Sequence, residues 1–193
     1  MSPPNVRQPS PKNQRNNSNS VSYAPQPPAL KKKVKRVAIF VDVQNIYYTT
    51  RQAYGAHFDY NAFWRQVTAD REIVKATAFA IDRGDEKQRQ FQTILRGIGF
   101  EVKLKPFIER ADGSAKGDWD VGIALDVMDC ATTTDIVVLA SGDGDFEVLV
   151  QRLRERHGIE VEVYGVPKLT ADALSRAATR FIPIDERLLL PRK

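Results

Sequence analysis

Two continuous apolar segments, each with aspartate at or just beyond its end, constrain the fold of this chain most strongly. Val37–Val43 reads VAIFVDV and Asp135–Ala140 reads DIVVLA. Uninterrupted apolar residues over this length are typical of strands buried on both faces, as at the centre of a parallel sheet. Because amphipathic segments separate the predicted strands, we predict an α/β fold with helices on both faces of a mostly parallel sheet.

The burial pattern of the strands also predicts their order. The remaining predicted strands are Ile73–Ile81, Glu101–Lys105 and Ile159–Tyr164, and a final segment at Phe181–Ile184 completes the domain. The third and fifth strands alternate polar and apolar residues, so we expect them at the edges, with the first and fourth in the centre. The predicted order is therefore 3-2-1-4-5, in a three-layer sandwich.

Six amphipathic segments are predicted to be helices. They are one beginning near Asn45, Asp59–Val67, Asp85–Ile98, Asp118–Cys130, one after Asp145, and a short one near Ala171–Ala178. Helical spacing predicts the inward face of two of them. In the third helix that face comprises Phe91, Ile94, Leu95 and Ile98, and in the fourth it comprises Val121, Ala124, Leu125 and Met128.

Residues 1–35 are predicted to be a disordered, proline-rich, basic arm, followed by a folded domain over residues 36–190. Residues 1–30 hold seven of the eleven prolines, and their few aliphatic side chains bury too little apolar area to offset chain entropy. Residues 1–36 carry eight Lys or Arg and no Asp or Glu, ending in Lys31, Lys32, Lys33, Lys35 and Arg36. This arm either contacts nucleic-acid phosphates or is a solvated linker.

The composition excludes several classes of protein. Cys130 is the only cysteine, and His57 and His157 are the only histidines, so an internal disulfide is excluded and a zinc site is poorly supplied. There is no apolar run of transmembrane length and no secretory signal pattern. We therefore expect a cytoplasmic protein.

Four aspartates are predicted to meet at one edge of the sheet. Asp42 ends the first strand, Asp143 and Asp145 follow the fourth, and Asp120 lies at the start of the preceding helix. Ligands of open parallel sheets bind beyond the carboxyl ends of the strands, where the strand order reverses, here between the first and fourth strands. Carboxylates crowded without Cys or His favour Mg²⁺ or Mn²⁺, so we predict a metal site.

Polar residues near the four aspartates each have more than one possible role. Asp118 is more typical of a helix N-cap than of a metal ligand, and capping also competes with ligation at Asp145. Asn45 is expected to cap its helix, to bind metal or phosphate, or to do both. The Ser141 hydroxyl is expected to orient Asp143 or a metal-bound water.

Cations and aromatic side chains near the same edge are candidates for substrate binding. Lys116 precedes the helix of Asp120, and Arg83 follows the second strand. Tyr47 and Tyr48 lie on the helix after Asp42, where core packing of one or both competes with stacking on a base.

Three segments resemble, in order, the motifs of NYN domain proteins. They are Phe40-Val41-Asp42-Val43-Gln44-Asn45, Lys116-Gly117-Asp118-Trp119-Asp120-Val121 and Ser141-Gly142-Asp143-Gly144-Asp145-Phe146. Together they most resemble the LabA-like branch of the family, within the PIN-like nuclease superfamily. One departure is Gln44, which stands where glycine is frequent and leaves less room near Asp42.

The resemblance implies a PIN-like fold and a Mg²⁺- or Mn²⁺-dependent ribonuclease acting on RNA, with single strands favoured. The resemblance also implies that the metal ligands are Asp42, Asp120, Asp143 and Asp145, with Asn45 and Ser141 beside them. A regulatory RNA-binding module with weak or no catalysis is the alternative. A phosphatase of the haloacid dehalogenase type is disfavoured, because Gln44 stands where its second aspartate would be.

Overall fold

Six parallel strands form the central sheet of the computed structural model, which describes residues 33–106, 108–109, 115–116 and 118–191. At residues 108–109 and 115–116 only the backbone is described. The strands of the sheet are β1 Lys35–Asp42, β2 Arg71–Asp82, β3 Glu101–Pro106, β6 Ile136–Ala140, β7 Glu160–Gly165 and β8 Arg180–Pro183. Two short strands, β4 Ile108–Glu109 and β5 Ala115–Lys116, pair antiparallel outside the sheet.

The order of the sheet is β3-β2-β1-β6-β7-β8. Its first five members reproduce the predicted order 3-2-1-4-5, which is confirmed together with the α/β class. The expectation that the strand at Ile159–Tyr164 lies at an edge was wrong, because β8 pairs with β7 on its outer side.

Six α-helices are found within the described residues. They are α1 Val43–Tyr54, α2 Tyr60–Thr68, α3 Glu86–Ile98, α4 Asp120–Asp129, α5 Glu147–His157 and α6 Asp172–Ala177. Short 3₁₀ turns occur at Gly144–Phe146, Pro167–Leu169 and Glu186–Leu188. None of the helices in this part of the chain combines the length and apolar character needed to cross a lipid bilayer.

Alternate residues of β1 divide the interior into two cores. Val37, Ile39 and Val41 pack with residues of α1, α2 and α3 on one face of the sheet. Ala38 and Phe40 pack with residues of α4, α5 and α6 on the other face. Because side chains two apart on a strand share a face, Asp42 follows Phe40 toward the layer that contains α4.

Two predicted helix faces needed correction. In α4 the buried residues are Ile123 and Val127, each 0% exposed, whereas Val121 and Leu125 are 71% and 62% exposed. In α3, Leu95 is buried as expected, but Ile94 is 55% exposed.

Candidate metal centre at the carboxyl edge of the sheet

The site is built where β1 and β6 end side by side. These strands pair in parallel up to Val41 and Ala140, so Asp42 and Ser141, the next residue of each segment, are neighbours. The Ser141 hydroxyl donates a hydrogen bond to Asp42 Oδ2 at 3.3 Å. Strand pairing therefore brings together two residues that lie 99 positions apart in the sequence.

Asp42 is nearly buried, with 9% of its surface exposed. Its Oδ1 accepts a hydrogen bond from the Asn45 backbone N–H at 3.1 Å and thereby caps α1. Burial raises the pKa of the Asp42 carboxyl, and the nearby charge of Asp143 raises it further, while the hydrogen bonds from Asn45 and Ser141 oppose this rise. Asp42 is thus a strongly desolvated acid beside a second acidic segment.

The Ser141 hydroxyl links the two acidic segments. Besides donating to Asp42 it accepts a hydrogen bond from the Asp143 backbone N–H at 3.2 Å. Since Ser141 Oγ lies 3.3 Å from Asp42 Oδ2 and 3.2 Å from Asp143 N, these two atoms are at most the sum of those distances, about 6.5 Å, apart. The predicted proximity of Asp42 and Asp143 is therefore observed.

The Asn45 side chain joins α1 to the loop after β6. Its Oδ1 accepts a hydrogen bond from the Gly142 N–H at 2.9 Å. Of the roles predicted for Asn45, helix capping is wrong, because Asp42 is the N-cap of α1. Asn45 instead holds the loop that carries Asp143 and Asp145 against the start of α1.

Three carboxylates converge beside this network. Asp120, Asp143 and Asp145 each offer one oxygen, and the three oxygens lie within 4.8 Å of one another. Asp143 also accepts a hydrogen bond from the Asp145 N–H at 3.0 Å, which fixes the turn between them. The fourth predicted ligand, Asp42, is adjacent to this cluster but is not one of the three that meet this distance.

Burial and the neighbouring acids both raise the pKa of Asp120. Partial burial raises the pKa of its carboxyl to about 6, with added contributions from Asp143, Asp118, Asp42 and Asp145, in that order. Carboxylates that repel one another in this way are stabilised in the charged form by a cation. The donor set is made of hard oxygens only, which fits Mg²⁺ or Mn²⁺.

Two capping interpretations are resolved by the geometry. Asp118 does not cap α4: the N-cap is Trp119, which makes no side-chain capping hydrogen bond. Asp145 does not cap α5, whose N-cap is Phe146. Asp118 is exposed, and its backbone carbonyl accepts a hydrogen bond from Lys105 Nζ at 2.6 Å.

Trp119 and Lys105 flank the cluster and were missed by the sequence reasoning. The indole N–H of Trp119 donates to the Ala80 carbonyl at 2.9 Å. The ammonium of Lys105 lies 5.0 Å from the centre of the Trp119 ring. The available signal was position, since Lys105 is near the carboxyl end of β3 and Trp119 immediately precedes Asp120.

The structure describes only some of the other cations and aromatic residues that were predicted to bind the substrate. The side chain of Lys116, and Lys31 and Lys32 of the arm, lie outside the described residues. The Arg83 N–H donates to Gln88 Oε1 at 2.7 Å, and its guanidinium lies 3.5 Å from the Tyr48 hydroxyl. Tyr47 and Tyr48 do not pack in the core: they are 47% and 49% exposed.

The described part of the basic arm lies at the opposite edge of the sheet. Lys35 is ion-paired with Glu160, and Arg36 with Asp135 at 3.0 Å. Because β1 rises about 3.3 Å per residue, its first residue is roughly 23 Å from Asp42. Lys35 and Arg36 therefore do not line the metal centre.

Comparison with known proteins agrees with this geometry. The family model described as NYN domain matches residues 36–185. The chain belongs to the NYN domain family. This confirms the resemblance found in the three motifs and is consistent with the PIN-like superfamily.

Two individual relatives of this NYN domain protein are informative. It is 29% identical over 161 residues to the low amplitude and bright protein LabA of Synechococcus elongatus, across 78% of this chain and 84% of the relative. It is also 56% identical in sequence to a protein of unknown function from Vibrio parahaemolyticus. The crystal structure of that protein matches this one with a TM-score of 0.78, over 81% of this chain and 97% of that chain. The fold and the LabA-like relationship are thus supported independently.

Proposed function

We propose that this NYN domain protein is a Mg²⁺- or Mn²⁺-dependent ribonuclease that hydrolyses phosphodiester bonds of RNA, with single strands favoured and internal cleavage expected. The observation that carries the proposal is the convergence of Asp120, Asp143 and Asp145 oxygens within 4.8 Å at the carboxyl edge of the sheet. Membership of a nuclease-like family supports it. We also propose that the protein is cytoplasmic.

The proposed ligands are Asp120, Asp143 and Asp145, with Asp42 as the neighbouring acid. A bound divalent ion supplies an activated water and stabilises negative charge on a phosphate in such sites. Asp42 is kept in place by Asn45 and Ser141, so its carboxylate adds negative charge at a fixed position beside the ligands. Asn45 and Ser141 are positioning residues, because their hydrogen bonds orient the two acidic segments.

Cations at the rim are proposed to bind the phosphates of RNA. Lys105 is held over the Trp119 ring and against the Asp118 carbonyl, immediately beside Asp120. Arg83 and Lys116 remain proposed contacts, as does the basic arm. Without such cations the acidic cluster would repel a polyanion, so they are needed for substrate approach.

The proposal is tested by incubating the purified full chain with an end-labelled single-stranded RNA in Mn²⁺, in Mg²⁺ and in EDTA. We expect cleavage in either metal and none in EDTA. Asp143→Asn should lower the rate at least about 100-fold, since it removes a proposed ligand. Asp129→Asn is the matched control, because Asp129 is exposed near the other end of α4 and should leave the rate unchanged.

The same assay separates the two candidate functions. Full cleavage by Asp143→Asn would contradict a nuclease centre at this site. Metal-dependent RNA binding without turnover, across several RNA types, would favour a regulatory RNA-binding module instead.

A further inference from the structure

A pocket of about 610 Å³ lies on the face of the sheet covered by α1, α2 and α3. Its lining includes Gln44, Tyr47, Tyr48, Arg83, Gln92 and Ile94. Much of this lining is apolar or aromatic, whereas the neighbouring metal centre is acidic. The two regions differ in chemistry but share a structural element.

The shared element is the first turn of α1. Asp42 caps this helix, and the next two residues, Val43 and Gln44, line the pocket. Since consecutive Cα atoms are 3.8 Å apart, Gln44 lies no more than about 7.6 Å from Asp42 along the chain. The pocket therefore reaches the same end of α1 that Asp42 caps.

Exposed apolar and aromatic side chains form part of the lining. The rings of Tyr47 and Tyr48 are 5.4 Å apart at an interplanar angle of 74°, and both side chains are nearly half exposed. Ile94, on α3, is 55% exposed in the same pocket. Aromatic rings held open to solvent in this way are typical stacking platforms for unpaired bases.

Gln92 adds a polar group to the pocket. The residue as a whole is 5% exposed, and it is part of the pocket lining. Its side-chain amide has both a donor and an acceptor that a ligand could use. The edge of a nucleobase carries the complementary groups.

The charges around the pocket suit a nucleotide. Arg83 and Lys87 contribute positive charge to the lining. The acids Asp59 and Asp85 also line it, but each accepts a hydrogen bond at the start of a helix, from Ala62 N and Gln88 N respectively. Positively charged side chains thus lie next to an aromatic surface suited to a base.

We propose that this pocket binds one unstacked base of the RNA strand whose backbone lies at the metal centre, with Tyr47 and Tyr48 as the stacking surface, Gln92 as the hydrogen-bonding group and Arg83 as the phosphate contact. The proposal rests on the proposed function, because it assigns a base-binding subsite to the same substrate. It makes single-stranded RNA the substrate class, since a base within a duplex cannot enter.

The test measures binding rather than cleavage, so that it does not depend on turnover. Fluorescence anisotropy in EDTA would give the Kd of the full chain for a labelled single-stranded RNA and for the same RNA with abasic positions. We expect Tyr48→Ala to weaken binding of the intact RNA about 10-fold and to leave binding of the abasic RNA unchanged. Tyr48→Phe is the matched control, because it retains the ring and should bind as the wild type does.

Variants at two further positions complete the test. Gln92→Leu should change the preference among homopolymers of the four bases, because a hydrogen-bonding group is lost while the side chain keeps a similar size. Arg83→Ala should weaken intact and abasic RNA equally. Its control is Arg65→Ala, because Arg65 is exposed on α2 and does not line the pocket.

The outcomes separate this proposal from the one on which it rests. Wild-type binding of RNA with no effect of Tyr47→Ala, Tyr48→Ala or Gln92→Leu would overturn the base pocket and leave the nuclease proposal standing. An equal loss of affinity for intact and abasic RNA in Tyr48→Ala would also overturn it. Absence of RNA binding by the wild type, in EDTA and in Mg²⁺ alike, would overturn both.

Discussion

Ser141 has no exposed surface, yet its hydroxyl makes hydrogen bonds to both acidic segments of the site. It donates to Asp42 and accepts from the Asp143 N–H. Removing the hydroxyl leaves one carboxylate oxygen and one backbone N–H without these partners in a buried place. At the scale of single residues, Ser141 is therefore the connection on which the geometry of the acids depends.

Ser141→Ala is expected to destabilise the protein by about 1–3 kcal/mol, the cost of leaving buried polar groups unsatisfied. Urea unfolding monitored by circular dichroism measures this change. Ser175→Ala in α6 is the control and should change the stability by less than about 0.5 kcal/mol. Equal stability of Ser141→Ala and the wild type would contradict the role of the hydroxyl.

Asp120→Asn is expected to raise the melting temperature of the metal-free protein at pH 8. The folded-state pKa of Asp120 is about 6, above the usual value of 3.8, so its ionised form opposes folding once the pH rises through 6. After discounting for its partial exposure, we expect about 1 kcal/mol, or about 2–4 °C. The gain should vanish at pH 4, where the carboxyl is protonated in the folded protein.

Mn²⁺ should act against the higher melting temperature of Asp120→Asn relative to the wild type. Mn²⁺ should raise the melting temperature of the wild type, because it binds the folded state, and should raise that of Asp120→Asn much less. Asp129→Asn should respond to Mn²⁺ as the wild type does. A larger Mn²⁺ response in Asp120→Asn than in the wild type would argue against ligation by Asp120.

Most of the carboxylates that converge could be predicted because their positions follow from strand ends. The roles of their neighbours could not. Asn45, Asp118 and Asp145 are all residue types that favour helix N-caps, yet none of them serves as one. Which residue caps a helix depends on where the first turn begins, and that is decided by tertiary contacts.

At the scale of elements, the loop after β6 is held by close packing at Gly142. A Cβ at this position would lie 2.7 Å from the Leu169 carbonyl oxygen and 3.2 Å from Thr170 Cα. Both contacts are with backbone, which cannot rotate away. The loop that carries Asp143 and Asp145 therefore requires glycine here for lack of space.

Gly142→Ala is expected to destabilise the protein by about 1–3 kcal/mol and to weaken Mn²⁺ binding, because the loop must move. Gly97→Ala is the control, and its effect on stability should be opposite. Gly97 lies within α3, and a Cβ there meets nothing within 4 Å. It should stabilise the protein by about 0.5–1 kcal/mol. Thermal and urea unfolding would compare the two, and equal effects would contradict the packing argument.

The alternating strand β7 was placed at an edge because Glu162 interrupts its apolar residues. Glu162 is in fact 2% exposed and forms ion pairs with Arg71, at 2.8 Å, and with Arg180. The polar residue therefore marks a buried ion pair and not an exposed face. A sequence pattern alone does not distinguish these cases, since the partners come from β2 and β8.

Glu162→Gln is expected to destabilise the protein by about 3 kcal/mol at pH 7, because it leaves Arg71 without its charged partner. Burial opposes ionisation of Glu162, but hydrogen bonds from Arg71 and Arg180 outweigh it and lower its pKa below 4.5. Its contribution is thus complete above pH 4.5 and is lost as the pH falls through the folded-state pKa. Unfolding at pH 7 and pH 3 should show the difference between variant and wild type shrinking in acid.

The inward face of α4 shows a second limit of pattern reasoning. Apolar residues occur around this helix, so both Val121 with Leu125 and Ile123 with Val127 satisfy helical spacing. Burial selects the second pair. The period of a pattern cannot choose between two apolar faces. In α5, by contrast, the buried residues Leu149, Val150 and Leu153 form a single stripe.

At the scale of the whole molecule, the two edges of the sheet differ in charge. Acidic residues converge at the carboxyl edge, whereas at the amino edge Lys33, Lys35, Arg36 and Arg156 line an opening together with the acids Asp135 and Glu160. The two edges are separated by the length of β1, roughly 23 Å at about 3.3 Å per residue. An RNA that contacts both would have to run along the protein surface for this distance.

The parallel α/β architecture explains why so much of the fold could be predicted. Each central strand is buried on both faces, which leaves a continuous apolar run in the sequence. The sixth strand, β8, has only four residues and carries no such run, so its pairing with β7 was not predicted. The pocket beside α1 was also not predicted, because its lining comes from several separate segments.

The central claim is that Asp120, Asp143 and Asp145 hold one divalent ion. The most direct test is a crystal of the full chain soaked in Mn²⁺, with anomalous diffraction measured near the manganese edge. We predict one strong anomalous peak with carboxylate oxygens of these three residues at about 2.0–2.6 Å. A well-ordered site with no anomalous peak at saturating Mn²⁺, or a peak bound only elsewhere, would contradict the claim.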